Sequence, residues 1–181
     1  MSGAVLDLRA DSGEDVVAIC SAFLTRGAHV LHGSHGPGPL ERIEPRQAND
    51  AAKASGNHTA VYASVDVQVA LMHAVLDRTY LLAHLDSYRA GYRRIAGRLV
   101  FRVTDNLYRL IEERVPEVFS EGYVYVLDRK HFVGAPESST EFYSFDPVAP
   151  FRSLRVSASL GLFLFRVGVG EGTDTVLRYT M

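Results

Sequence analysis

From Leu99 onward the chain is a succession of short β-like runs, and no other feature restricts its fold as strongly. Residues 99–103, 123–127, 141–145, 154–158 and 162–167 all read as strand-like, most of them rich in β-branched and aromatic side chains. Residues 175–179 repeat the pattern more weakly. A doubly wound parallel sheet needs a helix after each strand, and no such alternation runs through this chain. Helical patterns gather early and strand patterns late. The expected class is therefore α+β with a largely antiparallel sheet.

The helices are expected in the first half. Residues 14–24 set Val16, Val17, Ile19, Cys20, Phe23 and Leu24 at helical spacing, with Glu14 and Asp15 in the first turn and Gly27 as a stop. Residues 28–31 read as a short strand entering a Gly/Pro-rich loop over 33–39, and 40–43 as one more short element before Pro45. Small polar residues over 48–57 read as a loop, and 59–63 as a strand. Ser64 or Asp66 then caps a helix carrying Val65, Val69, Met72 and Leu76, and a second helix covers 80–89. No internal repeat or long linker interrupts the 181 residues, which suit a single domain over 1–181.

Charge and cysteine content narrow the function classes. The 19 basic and 21 acidic residues leave a net charge of −2, which argues against bulk, sequence-independent nucleic-acid binding. Cys20 is the only cysteine, so no internal disulfide forms and a reducing compartment is the natural setting. The N-terminal residues lack the basic start and apolar run of a secretory signal. The apolar stretch over 160–169 contains Arg166 and is far short of the ~20 residues a membrane helix needs. A soluble cytoplasmic protein, with no membrane partner, is the expectation.

Three short motifs carry the candidate chemistry. His32-Gly33-Ser34 stands where a strand enters the glycine-rich loop, a place where backbone approaches a flat ligand closely and an imidazole can donate to a ribose hydroxyl. Val61-Tyr62-Ala63-Ser64 is a tyrosine-bearing strand directly ahead of a helix. Glu141 heads the alternating run Glu141-Phe142-Tyr143-Ser144-Phe145. Taken singly each has an ordinary reading: an exposed loop histidine, a core tyrosine, a solvated carboxylate.

Their order changes the reading. His-Gly-Ser, then a Tyr-bearing strand before a helix, then a Glu opening a late strand, resembles the ADP-ribosyltransferase superfamily. The likeness is to its His-Tyr-Glu branch, which holds diphtheria toxin and the poly(ADP-ribose) polymerases, and it spans Val30 to about Ser157. The resemblance implies a split antiparallel sheet with flanking helices, whose cleft holds NAD as the substrate. His32 would bond the adenosine ribose, with Gly33 and Ser34 beside it and the Gly33 backbone on the nicotinamide amide. Tyr62 would flank the nicotinamide. Glu141 would bond the nicotinamide ribose and stabilise the oxocarbenium-like charge that develops as nicotinamide leaves. Independent chemistry agrees, since carboxylates serve glycosidic cleavage by opposing positive charge on the sugar.

Two positions depart from the branch. Its second stacking aromatic falls here on His73, and its amide-binding hydroxyl on Ala70. The basic tetrad of the related RNA 2′-phosphotransferases is lacking. His29, His32 and His35 recur every third residue, but Gly33, Gly36, Pro37 and Gly38 forbid the helix that would gather them, so no metal site is expected. Gly168-Val169-Gly170-Glu171-Gly172 precedes a β-like segment, so it reads as a turn and not as a dinucleotide fingerprint. Arg89, Arg93, Arg94 and Arg98, interleaved with Tyr88 and Tyr92, read as a solvated helix face and loop; the sharper alternative is a contact for the NAD pyrophosphate or an acidic target.

The expected activity is mono-ADP-ribosyl transfer from NAD to a macromolecular acceptor, protein or nucleic acid. A toxin or effector role, with an inhibitor or antitoxin as partner, belongs to the same expectation. Two alternatives stand beside it: an NAD glycohydrolase, in which water is the acceptor, and a non-catalytic module that keeps the cleft and acts through protein partners.

Overall fold

Residues 122–127 are buried on both sides of the strand they form, Gly122–Asp128 (β7). A strand apolar on both faces needs cover on both, which places it inside a sheet. The computed structural model describes the backbone of residues 5–7 and residues 13–48, 57–167 and 175–178. In it β7 is flanked, antiparallel on each side, by His29–His35 (β2) and Arg152–Val156 (β10). Val5–Asp7 (β1) adds a parallel outer edge on β10. Beyond β2 the sheet continues through Thr59–Ser64 (β4) and Glu141–Ser144 (β9) to Val133–Gly134 (β8), and Arg46–Gln47 (β3) pairs with the start of β4. A smaller sheet joins Ala90–Ile95 (β5), Arg98–Val103 (β6) and Val176–Arg178 (β11). The class is α+β with mostly antiparallel pairing.

Side-chain alternation divides the core. Leu31, Val124, Val126 and Leu154 face the helices, whereas Val30, Val61, Tyr123, Tyr125 and Leu127 form a second cluster on the opposite face with Ile43, Phe142 and Val148. The helix at the centre of the first cluster is Val67–Val75 (α2), of which only Gln68 and His73 are not buried. A helix apolar nearly all round belongs in the interior, where each large buried side chain contributes about 1.5–3 kcal/mol. Asp66 caps it by accepting from the Gln68 amide at 3.1 Å. The remaining helices are Gly13–Leu24 (α1), Arg78–His84 (α3), Asp105–Glu112 (α4) and Ser159–Leu164 (α5).

Glycines set how closely α2 lies on the sheet. A Cβ on Gly33 would overlap the Ala70 carbonyl oxygen, and one on Gly122 the Ala74 carbonyl oxygen. Backbone therefore meets backbone there, and no larger residue fits without moving the helix.

Several expectations change. Gly33, Ser34 and His35 are not loop but the second half of β2, because all three pair with residues 122–124 of β7. Residues 40–43 form only an isolated bridge, Ile43 to Val148. The helix expected over 80–89 begins at Arg78, where Asp77 caps the Tyr80 amide at 2.8 Å, and ends at His84. Residues 162–167 are not a strand. Leu160 and Leu164, one helical turn apart, are buried and Leu162 between them is exposed, so the run enters α5. The helix α4 had no counterpart in the sequence reading. The strand over 175–179 is seen as β11, with Tyr179 outside the described residues, as are the 168–172 glycines and most of the 48–57 loop.

Candidate functional site

The larger sheet is nearly divided in its middle. Between β2 and β4 a single register pair remains, Leu31 with Ser64, whereas β2 pairs with β7 along its whole length and β4 with β9 over residues 61–64. Beside that one pair the ring of His32 bridges the two halves. Its Nδ1 donates to the Tyr62 carbonyl oxygen at 2.6 Å. A carbonyl only accepts, so the proton sits on Nδ1 and Nε2 is left as an acceptor. Burial lowers the His32 pKa below the ordinary value and the Arg46 charge adds to this, against the opposing pull of the Tyr62 bond. The ring is neutral at pH 7, and Nε2 is available as an acceptor and not as a donor.

Tyr62 and Glu141 stand on one face of the β4–β9 pair. Tyr62 is opposite Tyr143 and Ser64 is opposite Glu141, so Tyr62 and Glu141 are diagonal neighbours, about 7 Å apart in ordinary strand geometry. The Tyr62 hydroxyl accepts from the His58 amide at 3.1 Å and donates to the His58 carbonyl at 3.2 Å, which fixes the ring. Glu141 is held beside the first turn of α2. Ser64 Oγ donates to the Thr140 carbonyl at 3.0 Å and accepts from the Asp66 amide at 2.9 Å.

His73 is the one exposed residue of α2. Surrounding protein still lowers the His73 pKa to about 4, with desolvation the main cause, His32 and Arg78 adding to it and the Glu141 charge opposing it. His73 thus reaches the same electrostatic neighbourhood as His32 and Glu141, and its imidazole is neutral.

His32, Tyr62, His73 and Glu141, distant in sequence, therefore lie around the junction of the half-sheets: Tyr62 and Glu141 project from the face toward α2, whereas the His32 ring packs beside Tyr125 on the opposite face and reaches across to the Tyr62 backbone. Gly33 and Ser34 follow His32 directly on β2. Gly33 turns its α-carbon to Ala70 in helix packing, and Ala70 itself is buried there. Ser34, alternating with Gly33, points away from α2 and donates to the His35 carbonyl at 3.2 Å.

The sequence reading missed the nearest neighbours of Glu141. The Tyr92 hydroxyl donates to Glu141 Oε1, and Arg94 pairs with the buried carboxylate of Asp66. Both belong to β5, so the arginine cluster lies on a hairpin and not on a helix face and loop. Ala96 and Gly97, both with positive φ, make its two-residue turn. The Ile-Ala-Gly-Arg stretch between alternating residues was the available signal. Among the described residues no group of three His, Cys, Asp or Glu side chains is placed to hold a metal ion, and no helix is long and apolar enough to cross a membrane. Comparison of the chain with protein-family models, with curated proteins and with solved structures returns no match.

Proposed function

We propose that this protein is an NAD-consuming mono-ADP-ribosyltransferase of the His-Tyr-Glu type. The observation that carries the reading is that His32 and Glu141 both act on His73 electrostatically beside the β2–β4 junction, with Tyr62 diagonal to Glu141 and its backbone bonded to His32. Each group suits one part of NAD. The Nε2 acceptor of neutral His32 suits a ribose hydroxyl. The Tyr62 ring and the uncharged imidazole of His73 suit the cationic nicotinamide ring, which an imidazolium would repel. Arg46 and Arg78, whose charges are felt at His32, His35 and His73, are the cations nearest in effect to the cleft and suit the pyrophosphate better than the hairpin arginines do.

In the proposed reaction the bond between ribose C1′ and the nicotinamide nitrogen breaks, and its electron pair leaves with the ring, which becomes neutral. Positive charge builds on C1′ and the ring oxygen of the ribose. The Glu141 carboxylate opposes that charge and accepts from a ribose hydroxyl. A nucleophilic oxygen, nitrogen or sulfur of the acceptor then closes on C1′ and loses its proton.

The test is incubation with radiolabelled NAD and cell lysate. Label on a macromolecule supports transfer; nicotinamide release with unlabelled macromolecules marks a glycohydrolase; binding without release marks a non-catalytic module. Glu141→Gln removes the charge at nearly constant shape, so nicotinamide release should fall roughly 10²–10³-fold while NAD affinity changes far less. Glu137→Gln, in the exposed turn before β9, should leave the rate nearly intact. Equal rates for wild type and Glu141→Gln would remove the enzyme reading.

A further inference from the structure

The β5–β6 hairpin belongs to the smaller sheet, yet two of its side chains end at the corner where β9 meets α2. Tyr92 pairs with Phe101 and Arg94 with Leu99, so both project from the face of the hairpin that joins the main core. From there the Tyr92 hydroxyl donates to Glu141 Oε1. Two residues on, the Arg94 guanidinium meets Asp66, which at the same time caps α2 through the Gln68 amide. The second anchor cannot swing away without exposing a buried carboxylate or loosening a helix start. Tyr92 is therefore held on both sides along its strand, by the hairpin register and by the ion pair.

The chemistry of the donor is selective. A lysine or arginine in contact with Glu141 would cancel the charge that an emerging sugar cation needs. A phenol supplies a directed hydrogen bond and leaves the carboxylate anionic. We infer that Tyr92 is the positioning residue of Glu141, an assignment that rests on the proposed role of that carboxylate: it fixes one carboxylate oxygen so that the group faces the nicotinamide ribose as the glycosidic bond breaks. Burial, and after it the hydrogen bond and charge of Glu141, push the Tyr92 pKa well above the ordinary value, so the phenol remains a donor throughout the physiological range. The Asp66 charge acts in the same direction, while a bond with Thr140 opposes it. Arg94 on its own strand, His73 on α2 and Tyr62 on β4, diagonal to Glu141, are further charged and titratable groups around this corner.

Tyr92→Phe keeps the ring in its half-buried seat and deletes the hydroxyl, and with it the donor to Glu141 and the bond with Thr140. The rate of nicotinamide release at saturating NAD should fall roughly 10- to 100-fold, the scale of a lost hydrogen bond to a charged group, while KM for NAD moves little. Added to Glu141→Gln, it should slow the reaction hardly further, because the two act as one unit. A second readout is independent of turnover: the Tyr92 ring carbon signal in an NMR pH titration. Its midpoint should lie above the ordinary tyrosine value of about 10 and move down in Glu141→Gln. A Tyr92 midpoint at the ordinary value, unmoved by Glu141→Gln, overturns the contact. An active wild type whose kcat survives Tyr92→Phe overturns the positioning role and leaves the proposed function standing. An inactive wild type with a raised Tyr92 midpoint overturns the proposed function and, with it, any catalytic purpose for the contact.

Discussion

His73 links the site to protein stability through a single proton. In the unfolded chain its pKa returns to about 6.5, whereas the folded protein lowers it to about 4. Between these values the unfolded chain binds a proton that the fold refuses. Stability is therefore fully present above about pH 6.5 and is lost as pH falls toward 4. His73→Gln should make that acid-side loss shallower, read as the change in urea midpoint between pH 7 and pH 5; an unchanged slope would mean that His73 is solvated like a free histidine. Other residues differ in how much of their role was legible. The sequence singles out His32, Tyr62 and Glu141 as candidates by their motifs, and His73 by its position after Tyr62. The neutrality of His32 and His73 was not legible, because it follows from burial and from charges at Arg46 and Arg78 that only folding brings near.

The closest helix–sheet contact is that of α2 on β2 and β7, and it depends on absent side chains. Gly122→Ala puts a methyl group against the Ala74 and Ser34 carbonyls, so the helix must shift. Thermal or urea unfolding should show a loss of at least about 1–3 kcal/mol, the usual cost of overpacking a filled interior. A neutral substitution would mean that α2 rides higher on the sheet than described. The same contact explains why a glycine at position 33 was readable as a loop signal yet sits in a strand. Glycine serves both purposes, and only the partner across the strand, β7, decides between them. Element type was legible where period and caps agreed, as in α1 and in the Asp66-capped α2. It failed for α5, since a short apolar run fits either helix or strand until its packing partners are known.

Across the whole molecule, the near-division between β2 and β4 is the place where a ligand would make the most difference. NAD held by His32 on one half-sheet and by Tyr62 and Glu141 on the other would join the halves in the folded state alone. At a hundredfold excess over its dissociation constant it should stabilise the protein by about 2.7 kcal/mol, seen as a rise in Tm, and slow amide exchange most along 31–34 and 61–64. His32→Ala should weaken both effects. Millimolar NAD that leaves the melting curve and exchange unchanged would exclude this cleft as its site.

Local rules were enough for the sequence to determine the α+β class, most strands of the second half, the α1 and α2 helices and the order of the His, Tyr and Glu motifs. Period, capping and turn chemistry act among residues a few positions apart. The tertiary structure alone decided that β2 runs on to His35, that residues 159–164 are helical, that the arginine-rich stretch folds as a hairpin and that Tyr92 meets Glu141. Those outcomes depend on partners dozens of residues away, whose burial and pairing outweigh the weak local preferences of a short segment.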